Sequence, residues 1–440
     1  MQADRYESVA DPSQRSRLLE LPNEILQYIA TILPDDKDLL NLGRVCKEAN
    51  ARILAPNAHT WRSRFGQKYD IPKGRSCEEL FVEYQIRTIV LNQDIDFKNR
   101  ENRLQQTMWL EVIQNMLSEA LLLPLRVGEE SKTLGQLKET MLRSRKFLNR
   151  PRTSHPCELY YAVQLCLTPL ALDPDISKGC YRQDYDIDKV YSYTKDPNGP
   201  LIEGNNLDLG MLLDFRGFWQ RHLLNSTEGT FYDTFLRLAE SLRPQFRKTD
   251  NSNPMSLSSS WLGYYSCVHP LPLTLDDLRR RQSCADLDSH WDQIEMMSLE
   301  VVAQSSEPFW PEMCNRIIPR SESPTIRMET VYFNGYQRTY GGSCNASNPM
   351  FGFIEPIKIS YGGFSGWTRI CFVLCEQVHE TGQVITEAPG WVHGYEAVII
   401  PGGRIMMGRW LDMKDLSGRG PLYSGIFRSQ TRRPMNPAFH

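Results

Sequence analysis

Residues 18–65 read LLELPNEILQYIATILPDDKDLLNLGRVCKEANARILAPNAHTWRSRF. The run opens on Leu21-Pro22 and sets Ile25, Leu26, Ile29, Ile32 and Leu33 at intervals of three and four, the repeat of an amphipathic helix. Pro22 suits the first helical turn, where a missing N–H costs nothing. Pro34-Asp35-Asp36 then stops that helix, and Asp38 is placed to cap a second one carrying Leu39, Leu40, Leu42 and Val45. Three helices this short cannot bury a full core alone. The unit needs a partner or the rest of the chain.

By periodicity alone the stretch also fits a helical hairpin that begins a larger helical domain. The order of residues says more. Leu21-Pro22-x-Glu24-Ile25-Leu26, Ile29, Leu33-Pro34, Asp38-Leu39-Leu40, Leu42, Val45-Cys46-Lys47 and a late Trp61-Arg62-x-x-Phe65 closely resemble an F-box. The resemblance covers only the N-terminal part of the chain. It implies docking on the Skp adaptor of a cullin-RING ubiquitin ligase, and so a substrate receptor. Helix-in-groove docking uses apolar anchors at i, i+3, i+4 and i+7, which makes Leu21, Pro22, Ile25, Leu26, Ile29, Leu39, Leu40 and Val45 the adaptor-facing candidates. Some of them must instead hold the helices together. Trp61 and Phe65 are expected to pack this module onto the next domain of the chain.

The chain has 440 residues, enough for two or three domains with a sizeable core. Its hydrophobic content of 41% and charged content of 23% are those of an ordinary soluble globular protein. A net charge of −3, without a basic tract, gives no reason to expect nucleic acid or an acidic membrane surface. No run of apolar residues is long enough for a transmembrane helix. The polar start MQADRYESVADPSQRSR has no apolar signal core and reads as a disordered lead-in over residues 1–16. The 11 scattered cysteines then read as reduced thiols in a cytoplasmic or nuclear protein.

The expected architecture is α+β. After the F-box at 17–66, residues 67–150 carry three amphipathic helical patterns, EELFVEYQIRTIVLNQDI, NRLQQTMWLEVIQNMLSEALLL and SKTLGQLKETMLRSRKFL, expected to form a rigid stalk. Residues 151–258 mix buried helical runs with polar, turn-rich segments. From 259 to 435 aromatics, glycines and β-branched residues dominate, in short strand-like runs broken by Gly-Gly, Asn-Gly and Pro-Gly-Gly turns. That pattern suits an antiparallel barrel or sandwich, the expected substrate domain.

Tyr395 to Trp410 read as two strands joined at Pro401-Gly402-Gly403. With Gly366-Trp367 before Arg369 and the later Gly418-Arg419-Gly420-Pro421, residues 325 to 430 loosely resemble the C-terminal β-domain of the F-box-only receptor family that binds D-type cyclins. The resemblance implies a domain that grips protein C-terminal segments. Physically, Arg369, Arg404, Arg409 and Arg419 could offer bidentate donors to a carboxylate or phosphate, while Trp367, Trp391 and Trp410 could wall an apolar slot. The alternative is that the tryptophans fill the core and the arginines face water.

Cys267, His269, Cys284 and His290 have the ligand types and roughly the spacing of a structural zinc site. The cyclin-binding family is expected to carry a zinc there with a similar Cys-x5-His second half, although Cys267-x-His269 is tighter than a comfortable pair. No cofactor is otherwise required. No nucleophile or phosphate-loop signature is found: Cys371 and Cys375 share one face of a strand-like run, most plausibly the core, and the Gly-Gly pairs lack a following Gly-Lys-Ser/Thr. The reading is a non-catalytic receptor subunit that joins adaptor, cullin and a protein substrate. The alternatives are an adaptor-bound protein working outside any ligase, and a β-domain whose small-molecule or peptide ligand controls the F-box.

Overall fold

The computed structural model describes residues 17–93, 95–97, 99–122, 131–148, 156–177, 201–203, 206–226, 230–246, 260–268, 293–301, 324–339, 348–375, 392–412 and 422–429. They divide into two compact units, Met1–Gln93 with Glu130–Gln136, and Asp94–Glu129 with Leu137–His440.

The first unit is helical: α1 (Asn23–Ile32), α2 (Asp36–Arg44), α3 (Lys47–Ile53), α4 (His59–Lys68) and α5 (Cys77–Leu91), preceded by a 3-10 turn at Arg17–Glu20. Pro22 stands just outside α1, with φ −53° and ψ 150°. The cap of α2 is Asp35, whose side chain accepts from the Asp38 N–H at 2.8 Å; Asp38 itself lies inside the first turn. Sequence spacing put the cap three residues late because several aspartates crowd that turn. Cys46 caps α3, its Sγ accepting from the Ala49 N–H. Ser76 and Glu79 form a reciprocal capping box at the start of α5. The hydrogen bonds from Ser76 hold the Glu79 carboxyl below the usual carboxylate range.

Four helices, not three, make up residues 23–68, and α5 supplies the apolar cover they lack. Leu26, Ala30, Leu39, Ile53, Trp61 and Phe65 are buried with Leu80 and Tyr84 of α5. Trp61 packs on Phe81 and Tyr84 at ring separations of 4.7 and 6.0 Å. The buried Arg87 pairs with Glu83 at 3.0 Å and lies over the faces of Phe65 and Tyr69. Trp61 and Phe65 thus join α4 to α5 within the first unit. Asp70 fixes the start of a further helix, α7 (Lys132–Arg143), by accepting from the Lys132 and Thr133 amides. The segment 67–150, expected as one stalk, is therefore shared: α5 belongs to the first unit and α6 (Arg103–Leu122) to the second.

In the second unit an aromatic cluster of Phe97, Trp109, Phe147 and Tyr160 ties α6 to the helix Glu158–Cys166. The buried Arg216, on the helix Leu209–Leu224, donates to the Leu148 carbonyl and to the carbonyl and side chain of Gln164. Among the described residues, apart from the antiparallel pair of two-residue strands β1 (Ile202–Glu203) and β2 (Asn206–Leu207), all strands lie in one antiparallel sheet. They are β3 (Ser260–Val268), β4 (Gln293–Val301), β5 (Val331–Thr339), β6 (Asn348–Pro356), β7 (Thr368–Cys375), β8 (Val392–Ile399), β9 (Ile405–Asp412) and β10 (Leu422–Ser429). Each pairs with the next in sequence, and β10 pairs with β3, so the order closes on itself.

One face of this sheet carries a single apolar cluster: Trp261, Phe333, Met350, Ile354, Ile370, Phe372, Leu374, Tyr395, Ala397, Ile399 and Met406. Residues from six strands can meet in one cluster only by pointing inside the ring. Phe372 and Tyr395 stack there at 4.3 Å. Gly352 shares that face, and a Cβ on it would come within 2.2 Å of the Cys371 carbonyl oxygen, so only glycine allows β6 and β7 to approach so closely. The outward face of β6 to β9 is buried as well, and the helix Leu209–Leu224 lies against β9 and β10. A sheet covered on both sides explains strand runs that read as continuously apolar rather than alternating.

Candidate functional site

The α1 helix sorts its apolar residues onto two faces. Leu26 and Ala30 point inward with no exposed surface, and Leu39 of α2 joins them. On the other side Ile25 is 46%, Tyr28 65% and Ile32 64% exposed, with Ile29 half-buried between them. Those four positions are i, i+3, i+4 and i+7. They form the edge that a helix-in-groove interaction needs. Leu40 (40%) and Val45 (71%) are also exposed, as is Pro22, while Leu21 is half-buried.

Six of the eight residues expected to face an adaptor thus keep accessible surface, and two do not. Leu26 and Leu39 are core residues, because the small bundle needs one inward row per helix. Tyr28 and Ile32 belong to the edge and were missing from the expected set. Their spacing from Ile25 was the available signal.

Side chains from the later helices fix this edge at its far end. Arg64, itself buried, donates to the Ala30 and Asp35 carbonyls at 3.3 Å, and Gln67 donates to the Thr31 carbonyl at 2.8 Å. The Ala30 and Thr31 carbonyls belong to the last turn of α1, which has no helical donor for them, while the Asp35 carbonyl also accepts from the Leu39 N–H at the start of α2. Midway, Gln27 donates to the Arg52 carbonyl and accepts from the His59 N–H.

Residues 18–66 match the F-box-like family model. Residues 18–66 of the N-terminal unit are thus an F-box-like domain, and the exposed apolar edge of α1 lies within them. The match ends at Gly66 and does not carry the likeness of the β-domain to the cyclin-D-binding family. Among curated proteins, and among solved structures, nothing matches the chain.

In the β-domain, Arg369 and Arg409 do find carboxylates, but those of the fold itself. Arg369 donates to Glu396 at 2.9 Å and to Glu355 at 3.3 Å, and Arg409 donates to Glu396 at 3.1 Å. Glu396 is fully buried and also accepts from the Leu201 amide at 3.0 Å. All four charged groups lie on the outward face of β6 to β9, under the cover of that face. Burial opposes the charge on Arg369, yet the adjacent acids hold its pKa above the ordinary value. The neighbouring Cys371 thiol is pushed up by burial and stays protonated, as expected of a core cysteine rather than a nucleophile.

Trp367 is buried and donates from Nε1 to the Phe364 carbonyl, closing the loop between β6 and β7. Arg404 is half-buried in the turn before β9, and Trp410 sits on β9 opposite Tyr395 and Tyr423. Trp391 and Arg419 lie outside the described residues. So do His269, Cys284 and His290, while Cys267 stands on β3 opposite Tyr423. Among the described residues no group of three or more His, Cys, Asp or Glu side chains could hold a metal ion.

Proposed function

We propose that this chain is the substrate-recognition subunit of a ligase of the Skp–cullin–F-box type, docking on the adaptor through the edge Leu21, Pro22, Ile25, Tyr28, Ile29, Ile32, Leu40 and Val45. The observation that carries the reading is the F-box-like match at 18–66 coinciding with an exposed apolar stripe at i, i+3, i+4 and i+7. The chain would contribute no catalytic group. It would raise the local concentration of a bound protein beside the conjugating enzyme, and proximity is a large rate term when two macromolecules must meet in one orientation. The β-domain is the cargo-binding part of this reading, and its cargo would be a protein segment.

The test is affinity purification of the tagged full-length chain beside an Ile25→Asp, Val45→Asp variant, read by mass spectrometry. Adaptor and cullin should accompany the wild type and be lost from a variant of unchanged fold, with cargo kept by both. Adaptor without cullin would favour a role outside any ligase. Absence of the adaptor from the wild type would end the reading.

A further inference from the structure

The entry into α1 is held by one side chain from α3. Arg52 donates from Nη1 to the Leu19 carbonyl at 2.6 Å, from Nη2 to the Leu21 carbonyl and from Nε to Asn23 Oδ1. Glu48, one turn earlier on α3, lies 3.6 Å from Nη1 and holds the guanidinium from behind. The Leu19 and Leu21 carbonyls precede α1, so the helix ladder does not use them. All three acceptors fall within Leu19–Asn23 and converge on one planar fork, a geometry that lysine, a point charge on a flexible stem, does not reproduce.

We propose that Arg52 is the positioning residue for adaptor docking, resting on the docking role assigned above to the α1 edge. Its side chain, 17% exposed, sits behind the turn it holds. What it does is lock Leu21-Pro22 in register with Ile25, so that the two ends of the apolar edge lie in one surface before any partner arrives. A four-residue 3-10 turn is weak by itself, because its hydrogen bonds are few and poorly aligned. Without the clamp the turn samples other conformations, and the apparent dissociation constant rises by the inverse of the fraction still in place.

The test measures binding of the full-length chain to immobilised purified Skp adaptor for the wild type, Arg52→Gln, Leu21→Ala and the double variant, with Asn23→Ala as a milder probe. If the turn is in place about one tenth of the time, Arg52→Gln weakens binding about tenfold. Amide exchange should quicken over residues 18–25 and stay unchanged over 47–68. In the Leu21→Ala background, where the clamp has little left to position, Arg52→Gln should add less than about twofold. A structural role alone would not produce that non-additivity. Asn23→Ala, which removes one acceptor, should cost about threefold, roughly half the tenfold effect on a logarithmic scale.

Wild-type affinity in Arg52→Gln overturns the inference, as does a full tenfold loss persisting beside Leu21→Ala. If Arg52→Gln loosens residues 47–68, Asn23→Ala decides, and wild-type affinity in that variant overturns it too. A wild type that does not bind the adaptor removes the docking reading and this inference together, a result distinct from either of those.

Discussion

Replacing Glu396 by glutamine should destabilise the β-domain far more than a surface change would. The carboxylate accepts three hydrogen bonds, from Arg369, Arg409 and the Leu201 amide, with no part of it exposed. Two arginines and two glutamates make the cluster neutral, and the substitution leaves it with one net buried positive charge. Glutamine keeps one acceptor oxygen but turns an N–H toward groups that are all donors. Hydrogen bonds to charged groups contribute about 1.5–3 kcal/mol each, and breaking a buried pair costs about 3–5 kcal/mol, so a loss of about 3–5 kcal/mol is expected.

Guanidinium unfolding followed by tryptophan fluorescence reads it as a lower midpoint at unchanged slope. Adding Arg409→Met restores neutrality, so the double variant should be less destabilised than the two single losses summed, by at least about 1 kcal/mol. A loss below about 1 kcal/mol in Glu396→Gln, or strict additivity, would refute the assignment of these arginines to the interior of the fold, because solvent-facing substitutions stay within about 0.5 kcal/mol.

The two faces of α1 should separate in the same way. Leu26→Ala empties a core position and should cost about 2–5 kcal/mol of stability, whereas Ile25→Ala should leave the melting temperature nearly unchanged and weaken adaptor binding. A stability loss for Ile25→Ala as large as that for Leu26→Ala would contradict the sorting. Burial pushes His393 down to about 3, below its unfolded value, so the folded protein stays neutral there while the unfolded chain takes up a proton. Stability contributed by the neutral imidazole is therefore complete above about pH 6.5 and declines as the pH falls from there toward 3, by up to about 1.4 kcal/mol per unit. His393→Gln should flatten that decline in unfolding measurements at pH 5.5 and 7.5, and an unchanged slope would refute it. Gly362 has φ +55°, and a Cβ there would meet the Ala162 Cβ at 2.7 Å and the Leu159 Cα at 2.9 Å. Gly362→Ala should cost about 1–3 kcal/mol, read as a lower thermal midpoint.

α1, α2, α5, α6, α7 and the strand-rich C-terminal part were legible, because their apolar repeats are local properties of the chain, whereas the division of residues 47–68 into α3 and α4 was not. β4 was not. QIEMMSLEV lacks turn signals and carries two glutamates and two methionines, residues that favour helices, and it becomes a strand because β3 and β5 offer it partners on both sides. The candidate site divides similarly. Spacing identified an apolar helix at Ile25 to Ile32, yet the same spacing assigned Leu26 and Leu39 to a partner, since periodicity names a face without saying what covers it.

By itself the sequence determined the F-box-like module, the mixed α+β class and the change from helical to strand-rich character near residue 260, because each rests on short-range patterns of apolar and turn residues. Only the tertiary structure decided which leucines are core, that Arg369 and Arg409 turn to Glu355 and Glu396, and that Arg52 reaches back to the start of α1. The polar contacts among these join residues 13 to 33 positions apart in sequence. Whether a buried charge finds an opposite charge depends on strand register and layer packing, which no local pattern encodes.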